Sequence, residues 1–180
     1  MIYIVTKNVY LRLGVTQLLG NSKYYINVSE SNYLIFIEKL KASDVVVYHI
    51  DKTDNQWVSE MLSISYRAKV ILFTSSCHLK ISAINNIIAV IDEKTSLESI
   101  ASIIRENHSC EIPSRVNKLN ISKREHYILV KTVRGMSPCS IAKLLNISVK
   151  TVYGHRSSAY GKLGARTIHD IFKINSKHFR

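Results

Sequence analysis

The sequence has few of the residues that interrupt regular structure or cross-link a chain. Among its 180 residues, only two are proline and three are cysteine. Cys77, Cys110 and Cys139 are odd in number and far apart, which argues against a disulfide framework or a zinc site. We therefore expect reduced, structural thiols. Because 46% of the residues are hydrophobic, the composition is that of a globular protein, and the length suits two small domains.

Long apolar runs are also absent. No stretch approaches about 18 uncharged apolar residues, and the opening segment MIYIVTKNVYLRLG lacks the length and the cleavage site of a signal peptide. We therefore expect no membrane partner and a cytoplasmic location. The sequence shows no nucleophile-base-acid set, no phosphate-binding glycine loop and no metal-ligand spacing. We expect a protein that is not an enzyme and that needs no cofactor or metal.

Carboxylates are scarce in the last part of the chain. Residues 1–107 carry 11 basic and 10 acidic side chains, a net of +1, whereas residues 108–180 carry 14 and 3, a net of +11. Between His126 and His169 there is no carboxylate at all. Such a field suits a polyanion, and we favour nucleic acid over an ordinary basic surface, which would intersperse both signs.

Residues 1–107 alternate short β-branched runs with helical patterns. The predicted strands are IYIV, YYINV, DVVVYHI, KVILFTS and IIAVI, and the predicted helices cover residues 9–19, 33–40, 57–64 and 97–105. Uninterrupted apolar strands separated by helices indicate a parallel sheet that is covered on both faces. The predicted fold class is therefore α/β, with a doubly wound five-stranded parallel sheet of flavodoxin-like order.

The periodicity lapses after this region, which predicts a linker over residues 108–118. Residues 119–180 are then predicted to form a domain of four helices. A serine caps each of the first three helices: Ser122 with Glu125 in a capping box, Ser137 with Pro138 at the first helical position, and Ser148. The third helix covers residues 149–163, and a short fourth helix begins at Thr167.

The second and third of these helices are joined by the tight turn LNIS, and the third is basic, which is typical of a helix-turn-helix. Val152, Ala159 and Leu163 share one stripe that can pack on the other helices. On the opposite face, the candidates to contact bases lie near the N-terminal half: Tyr153, Gly154 and Ser157. The candidates to contact phosphates lie at the helix ends and flanks: Ser137, Lys150, Thr151, His155 and Arg156.

Two of these assignments have alternatives. Gly154 either lets the helix backbone approach a base edge or a phosphate, or it is a tolerated defect that costs about 1 kcal/mol relative to alanine. The sequence favours neither. His155 has no histidine, cysteine or carboxylate three or four residues away, so phosphate contact is preferred to a metal-binding or catalytic role.

The stretch ISKREHYILVKTVRGMSPCSIAKLLNISVKTVYGHRSSAYGKLGARTIHDIF resembles the LuxR/FixJ-type helix-turn-helix of bacterial transcription regulators over some fifty residues. The matching residues keep their order and spacing without a gap: Arg124, Glu125, Ile128, Leu129, Gly135, Ser137, Ile141, Ala142, Leu145, Ile147, Ser148, Thr151, Val152, His155, Lys162, Leu163 and Gly164.

This resemblance implies double-stranded DNA as the partner and hence association with the nucleoid, with RNA polymerase as a further candidate partner. The family usually has lysine where this chain has Tyr153, and a larger residue where it has Gly154, which implies an unusual target sequence. The resemblance also implies a dimer, either a homodimer or a heterodimer with a related regulator. Its apolar contacts would come partly from the fourth helix, at Ile168, Ile171 and Phe172.

In this family the α/β domain is commonly a response-regulator receiver, and residues 1–107 resemble a degenerate receiver-like regulatory domain. A receiver needs carboxylates after the first strand to hold magnesium, and an aspartate at the end of the third strand to accept phosphate. Here Thr6, Lys7 and Asn8 follow the first strand, and His49 occupies the phosphoacceptor position. We therefore expect no phosphorylation on aspartate and no magnesium there.

Two other receiver positions are partly kept. Thr74 matches the hydroxyl that follows the fourth strand, and the lysine expected after the fifth strand falls on Glu93 or Lys94. His49 is either a packed histidine, which we favour, or a pH-sensitive group. Regulation would come through expression level, a small ligand or pairing with another regulator.

The sequence thus predicts a sequence-specific DNA-binding transcription regulator that acts as a dimer. The alternative is an accessory regulator that acts mainly through a heterodimer and has weak DNA affinity of its own.

Overall fold

The structure is a computed structural model that describes residues 1–20, 25–27, 33–50, 56–74, 83–92, 94–109 and 120–172. The chain divides into two compact units. The sheet unit comprises Met1–Thr53, Arg67–Ser76 and Asn86–Ser114, and the helical unit comprises Asp54–Tyr66, Cys77–Asn85 and Arg115–Arg180. The linker predicted over residues 108–118 lies outside the described residues, apart from its first two positions, which are helical.

The strands are β1 Ile2–Val5, β2 Tyr25–Asn27, β3 Val45–His49, β4 Lys69–Phe73 and β5 Ile87–Ile91. The helices are α1 Val9–Leu19, α2 Tyr33–Lys39, α3 Gln56–Ser65, α4 Leu97–Ser109, α5 Lys123–Val133, α6 Pro138–Leu145, α7 Val149–Lys162 and α8 Ile168–Phe172. Every predicted strand and helix is present. The largest difference is at the end of α4, which continues to Ser109 because no proline or glycine interrupts its helical pattern.

The five strands form one sheet in the order β2-β1-β3-β4-β5, and every neighbouring pair is parallel. This is the flavodoxin-like order that the sequence predicted. One sheet face packs against α1 and α4 through a cluster of buried apolar side chains that includes Ile4, Val47, Phe73, Val15 and Ile104. The central strands β3 and β4 are buried at nearly every residue, as expected for a parallel sheet.

Strand order fixes where the polar residues of the sheet unit meet. β1 and β3 are neighbours and pair in register from Ile2 with Val45 to Val5 with Tyr48. The residues that directly follow these strands therefore lie side by side at the carboxyl edge of the sheet. Asn8 starts α1 from this edge, because its side-chain oxygen accepts the backbone N–H groups of Tyr10 and Leu11.

The helical unit has the caps that the sequence predicted. The Ser122 side chain accepts the N–H of Glu125, and the Glu125 side chain accepts the N–H of Ser122, which completes the capping box. Ser137 and Ser148 cap α6 and α7 in the same way, each through the N–H three residues on. A buried cluster of Ile128, Ile141, Ala142 and Val152 joins α5, α6 and α7.

The helical unit also contains α3, which the sequence pattern assigned to the α/β region. α3 packs with α5, where the Nε2 atom of His126 lies 2.8 Å from the carbonyl oxygen of Leu62. Arg134 also donates to the Ser63 hydroxyl over 2.9 Å. α3 is buried along most of its length, and a helix that is buried over so much of its surface needs more than one neighbour. Among the described residues, no helix is long and apolar enough to cross a membrane.

Candidate DNA-binding site

α7 is held in the helical unit by one face only. Val152, Ala159 and Leu163 are buried, as the predicted stripe requires. Ser148 starts the helix by accepting the N–H of Thr151 over 3.0 Å, and the two hydroxyl oxygens lie 2.7 Å apart. Because the cap uses one end of α7 and the buried stripe uses one side, the side opposite the stripe is left exposed.

The outward face of α7 carries the three side chains predicted to face bases. Tyr153 is 55% exposed, and Gly154 and Ser157 are also exposed. A Cβ atom added at Gly154 or at Gly161 would meet no atom within 4 Å. Packing inside the helical unit therefore requires neither glycine.

A buried carboxylate lies behind α7. Glu125 is only 5% exposed, and its oxygens accept hydrogen bonds from Ser158 over 2.6 Å and from Lys162 over 2.7 Å. Burial opposes the charged form, but the hydrogen bonds from Lys162, Ser158 and Ser122 outweigh it and lower the pKa of Glu125 to about 2. The acidic residue nearest in space to α7 is therefore turned inward and ties α5 to α7.

The candidates for phosphate contact lie where the sequence predicted, at helix starts and flanks. Lys150 and Thr151 are exposed in the first turn of α7, and His155 is half-buried on its flank. Ser137 is exposed at the start of α6, where its hydroxyl accepts the N–H of Ser140 over 3.1 Å. Helix starts of this kind present backbone N–H groups to an anion.

Arg156 is the exception among these candidates, because its guanidinium is already engaged. Its Nε and Nη2 atoms donate to the Tyr160 hydroxyl over 3.3 and 3.1 Å. The guanidinium carbon also lies 5.5 Å from the ring centre of Tyr153. Sequence reasoning missed Tyr160, whose spacing of four residues from Arg156 was the available signal.

The three apolar candidates for a dimer contact differ in exposure. Ile171 is fully buried, so its side chain contributes to the core of the helical unit. Ile168 and Phe172 are half-buried and keep part of their surface open. Only these last two therefore offer apolar surface to a partner.

In the sheet unit, the predicted phosphoacceptor position lies at the end of β3. There the Nδ1 atom of His49 is 3.1 Å from the Thr6 hydroxyl, which also accepts the N–H of Asn8 over 3.0 Å. Thr74 follows β4 and donates its N–H to the carbonyl of Ile91. Histidine and threonine thus occupy the edge where a receiver has carboxylates.

The candidates that follow β5 are only partly described. Lys94 is exposed, whereas Glu93 lies outside the described residues. Within the described part of the chain, no group of three or more histidine, cysteine, aspartate or glutamate side chains is placed to hold a metal ion.

Two capped helices with a tight turn between them, the second exposing a polar face, define the helix-turn-helix class of DNA-binding proteins. Residues 119–174 match the family model GerE, "Bacterial regulatory proteins, luxR family". The helical unit therefore contains a luxR-family helix-turn-helix domain, and the protein is a DNA-binding transcription regulator.

The solved structures to which this chain is similar include three response regulators. The response regulator StyR is 17% identical, with 96% of each chain covered and a TM-score of 0.44. RcsB from Salmonella enterica serovar Typhimurium, bound to promoter rprA, is 17% identical, with 96% of this chain and 97% of that chain covered and a TM-score of 0.41. Full-length FixJ from B. japonicum is 14% identical, with 96% and 94% covered and a TM-score of 0.39.

Proposed function

We propose that this protein recognises a specific DNA sequence by placing α7 in the major groove. The observation that carries the proposal is the outward face of α7, which is exposed, polar and free of carboxylates. The acidic group nearest to it, Glu125, is buried and neutralised by Lys162. A negatively charged duplex can therefore approach this face without repulsion from a nearby carboxylate.

On this proposal, Tyr153, Gly154 and Ser157 lie against base edges, because a recognition helix reads bases with its N-terminal residues. Ser137, Lys150, Thr151 and His155 lie at helix starts and flanks, where the phosphates of the groove walls pass. The phosphate contacts fix the position of α7, and the base contacts select the sequence.

We further propose that the protein binds as a dimer, through Ile168 and Phe172 of α8. A two-fold dimer would read two half-sites about 34–36 Å apart, which is one turn of the duplex. The partner is a second copy or a related regulator. The second candidate function is an accessory role in a heterodimer with weak DNA affinity of its own, and it is favoured by the burial of Ile171, which leaves Ile168 and Phe172 as the candidates with exposed apolar surface.

Regulation on this proposal does not involve phosphorylation of aspartate. The end of β3 carries His49, and Thr6 is its hydrogen-bond partner at the end of β1. Neither side chain forms an acyl phosphate in the way that a receiver aspartate does. Control would then come from the amount of protein, a small ligand or the choice of partner.

Salt dependence of DNA binding tests the proposal. Bound duplexes are first selected from a randomised pool, and the affinity of the full chain for a selected site is then measured from 50 to 200 mM salt. For each phosphate neutralised, we expect the logarithm of the affinity to fall by about 0.9 per unit of log salt. A protein that neutralises four phosphates with lysine or arginine side chains would give a slope of about −3.6.

The two candidate functions give different results in this experiment. A steep slope with the protein alone supports direct recognition. Absence of measurable binding with the protein alone, together with a steep slope once a related regulator is added, supports the accessory role. If no duplex binds under either condition, the DNA-binding proposal is wrong.

A further inference from the structure

Three side chains on one edge of α7 form a connected group that the sequence did not predict. Tyr153, Arg156 and Tyr160 follow each other at spacings of three and four residues, so they lie along one side of the helix. Tyr160 is buried, Arg156 is half-buried and Tyr153 is exposed. The group therefore runs from the core of the domain out to the face of α7.

The contacts in this group fix the guanidinium plane. Nε and Nη2 of Arg156 both donate to the Tyr160 hydroxyl, which uses one edge of the planar group. The ring of Tyr153 lies 5.5 Å from the guanidinium carbon, within the range of a cation–π contact. Arginine has five N–H donors in a rigid fork. After these two hydrogen bonds, both N–H groups of Nη1 and the second of Nη2 are left.

These remaining donors lie at the end of the guanidinium. One N–H of Nη1 and one of Nη2 are parallel there, and together they can bind two neighbouring acceptor atoms of one molecule. In the major groove, guanine presents such a pair at O6 and N7, and an arginine fork binds both. A phosphate can also accept a fork, so geometry must decide between the two. Here the guanidinium carbon lies 5.5 Å from the ring centre of Tyr153 and 5.7 Å from that of Tyr160, so the end of the fork lies next to Tyr153, one of the predicted base-facing residues.

The fixed orientation of the guanidinium also favours contact with a base over contact with a phosphate. A phosphate contact tolerates a mobile cation, because it carries no sequence information. Base reading depends on the orientation of a planar donor group, and an arginine that is hydrogen-bonded and in contact with aromatic rings has lost much of its freedom before binding. In this arrangement the Tyr160 hydroxyl sets the direction of the fork, and Tyr153 makes a cation–π contact with the guanidinium.

We propose that Arg156, positioned by Tyr153 and Tyr160, reads one guanine per half-site through O6 and N7. This moves Arg156 from the phosphate-contacting group, where the sequence placed it, to the residues that set specificity. The inference rests on the proposed function, because it requires α7 to lie in the major groove.

The test uses the full chain and a duplex selected from a randomised pool. Each guanine of the selected site is replaced in turn by 7-deazaguanine, which lacks the N7 acceptor but pairs normally with cytosine. We expect one replacement per half-site to weaken binding of the unaltered protein by about 5- to 100-fold. For Arg156→Ala, which removes every donor of the side chain, the same replacement should have less than a twofold effect.

Tyr160→Phe removes only the hydroxyl and isolates its positioning role. We expect it to lower the preference for that guanine while affinity for unrelated duplexes and the salt slope stay unchanged. Tyr127→Phe, a matched change on α5, should leave the preference as it is. Thermal unfolding of each variant shows whether its fold is kept, and if Tyr160→Phe does not fold, Arg156→Ala still decides.

Two results would overturn the inference. In one, no 7-deazaguanine position distinguishes the unaltered protein from Arg156→Ala. In the other, Arg156→Ala weakens selected and unrelated duplexes by the same factor. Either result would make Arg156 a phosphate contact and leave the proposed function standing. Failure of the unaltered protein to bind any duplex would instead remove the proposed function and the inference together.

Discussion

α7 and the carboxyl edge of the sheet are both surfaces where a regular fold presents polar side chains. They differ in whether those side chains are available to a partner. At α7, the cap at Ser148 and the buried stripe are in place, and the outward face is polar and available. At the sheet edge, β1 and β3 pair in register, and His49 and Thr6 are hydrogen-bonded to each other there. The buried apolar pattern of a fold therefore does not decide which side chains stand at its edge.

Charge separates the two regions as well. The front 107 residues are close to neutral, while the last 73 carry a net charge of +11. The carboxylate of Glu125, which contacts α7, is buried and paired with Lys162, so the pair adds no net charge to the surface of α7. A basic surface binds DNA without choosing a sequence, and the shape of the α7 face must therefore supply the choice.

Removing the buried carboxylate should have the largest effect on stability. We expect Glu125→Ala to lower the free energy of unfolding of the helical unit by about 3 to 5 kcal/mol, because it leaves Lys162 unpaired and breaks the capping box. Denaturant unfolding followed by Trp57 fluorescence measures this, since the only tryptophan of the chain lies buried in α3 of that unit.

Glu106→Ala, at an exposed position of α4, is the matched control and should change stability by no more than about 0.5 kcal/mol. Equal losses in the two variants would mean that the contacts of Glu125 do not hold α7.

The next largest effect should come from His126 as the pH falls. Burial lowers its pKa to about 4, although the hydrogen bond with the Leu62 carbonyl opposes the shift. Between about pH 6.5 and pH 4, the unfolded chain binds a proton here that the folded chain does not. Stability is therefore complete above pH 6.5 and falls by about 3 kcal/mol on the way to pH 4. Trp57 fluorescence in denaturant, measured at several pH values, gives the slope.

His126→Gln cannot take up this proton, so its stability should be nearly flat across the same range. The contribution of Glu125 is lost lower, between its unfolded pKa of 4.5 and the folded value of about 2. A slope that is unchanged in His126→Gln would assign the acid sensitivity to other groups.

The fold could be predicted from sequence because its signals are local. The apolar run IIAVI predicts β5 with the bounds that the structure shows, and the three capping serines predict where α5, α6 and α7 begin. The grouping of α3 with α5 could not be predicted, because a helical pattern shows which face of a helix is apolar and not which element covers that face.

The candidate site shows the same limit. Exposure of Tyr153 and Ser157 followed from helical periodicity, which the sequence contains. The engagement of Arg156 by Tyr160 depends on rotamers, and periodicity shows only that the two side chains are near each other. The role of Glu125 could be predicted only in part. Its spacing from Ser122 predicts the capping box, whereas its hydrogen bonds with Ser158 and Lys162 depend on how α5 packs on α7.

A change at one cation of α7 should have a moderate effect on DNA binding and none on stability. We expect Lys150→Ala to reduce the salt slope by about 0.9 per protomer and to weaken selected and unrelated duplexes alike. Lys94→Ala, an exposed position in the sheet unit, is the control and should leave the slope as it is. A change of sequence preference in Lys150→Ala would move this residue to the base-facing group.

Alanine substitutions at the two glycines of α7 should have a smaller effect. Comparing them should separate the gain in helix propensity from any steric effect on DNA binding. Gly154→Ala and Gly161→Ala should each stabilise the helical unit by up to about 1 kcal/mol, because neither Cβ meets an atom. Only Gly154→Ala should weaken DNA binding, since Gly154 lies in the half of α7 that reads bases. Equal affinity in the two variants would make Gly154 a tolerated defect of the helix.

The smallest expected effect is at the sheet edge, where we predict no response at all. Incubation of the full chain with acetyl phosphate and magnesium should leave its mass unchanged, because His49 holds the position of the acceptor and Thr6, Lys7 and Asn8 supply no magnesium carboxylate after β1. The His49→Asp variant restores the acceptor alone and should also stay unmodified, since the charge of an acyl phosphate needs a bound cation to offset it. A stable gain of one phosphate on the unaltered chain, located by fragmentation to an aspartate, would show that the sheet edge has kept its chemistry and would remove the contrast with α7.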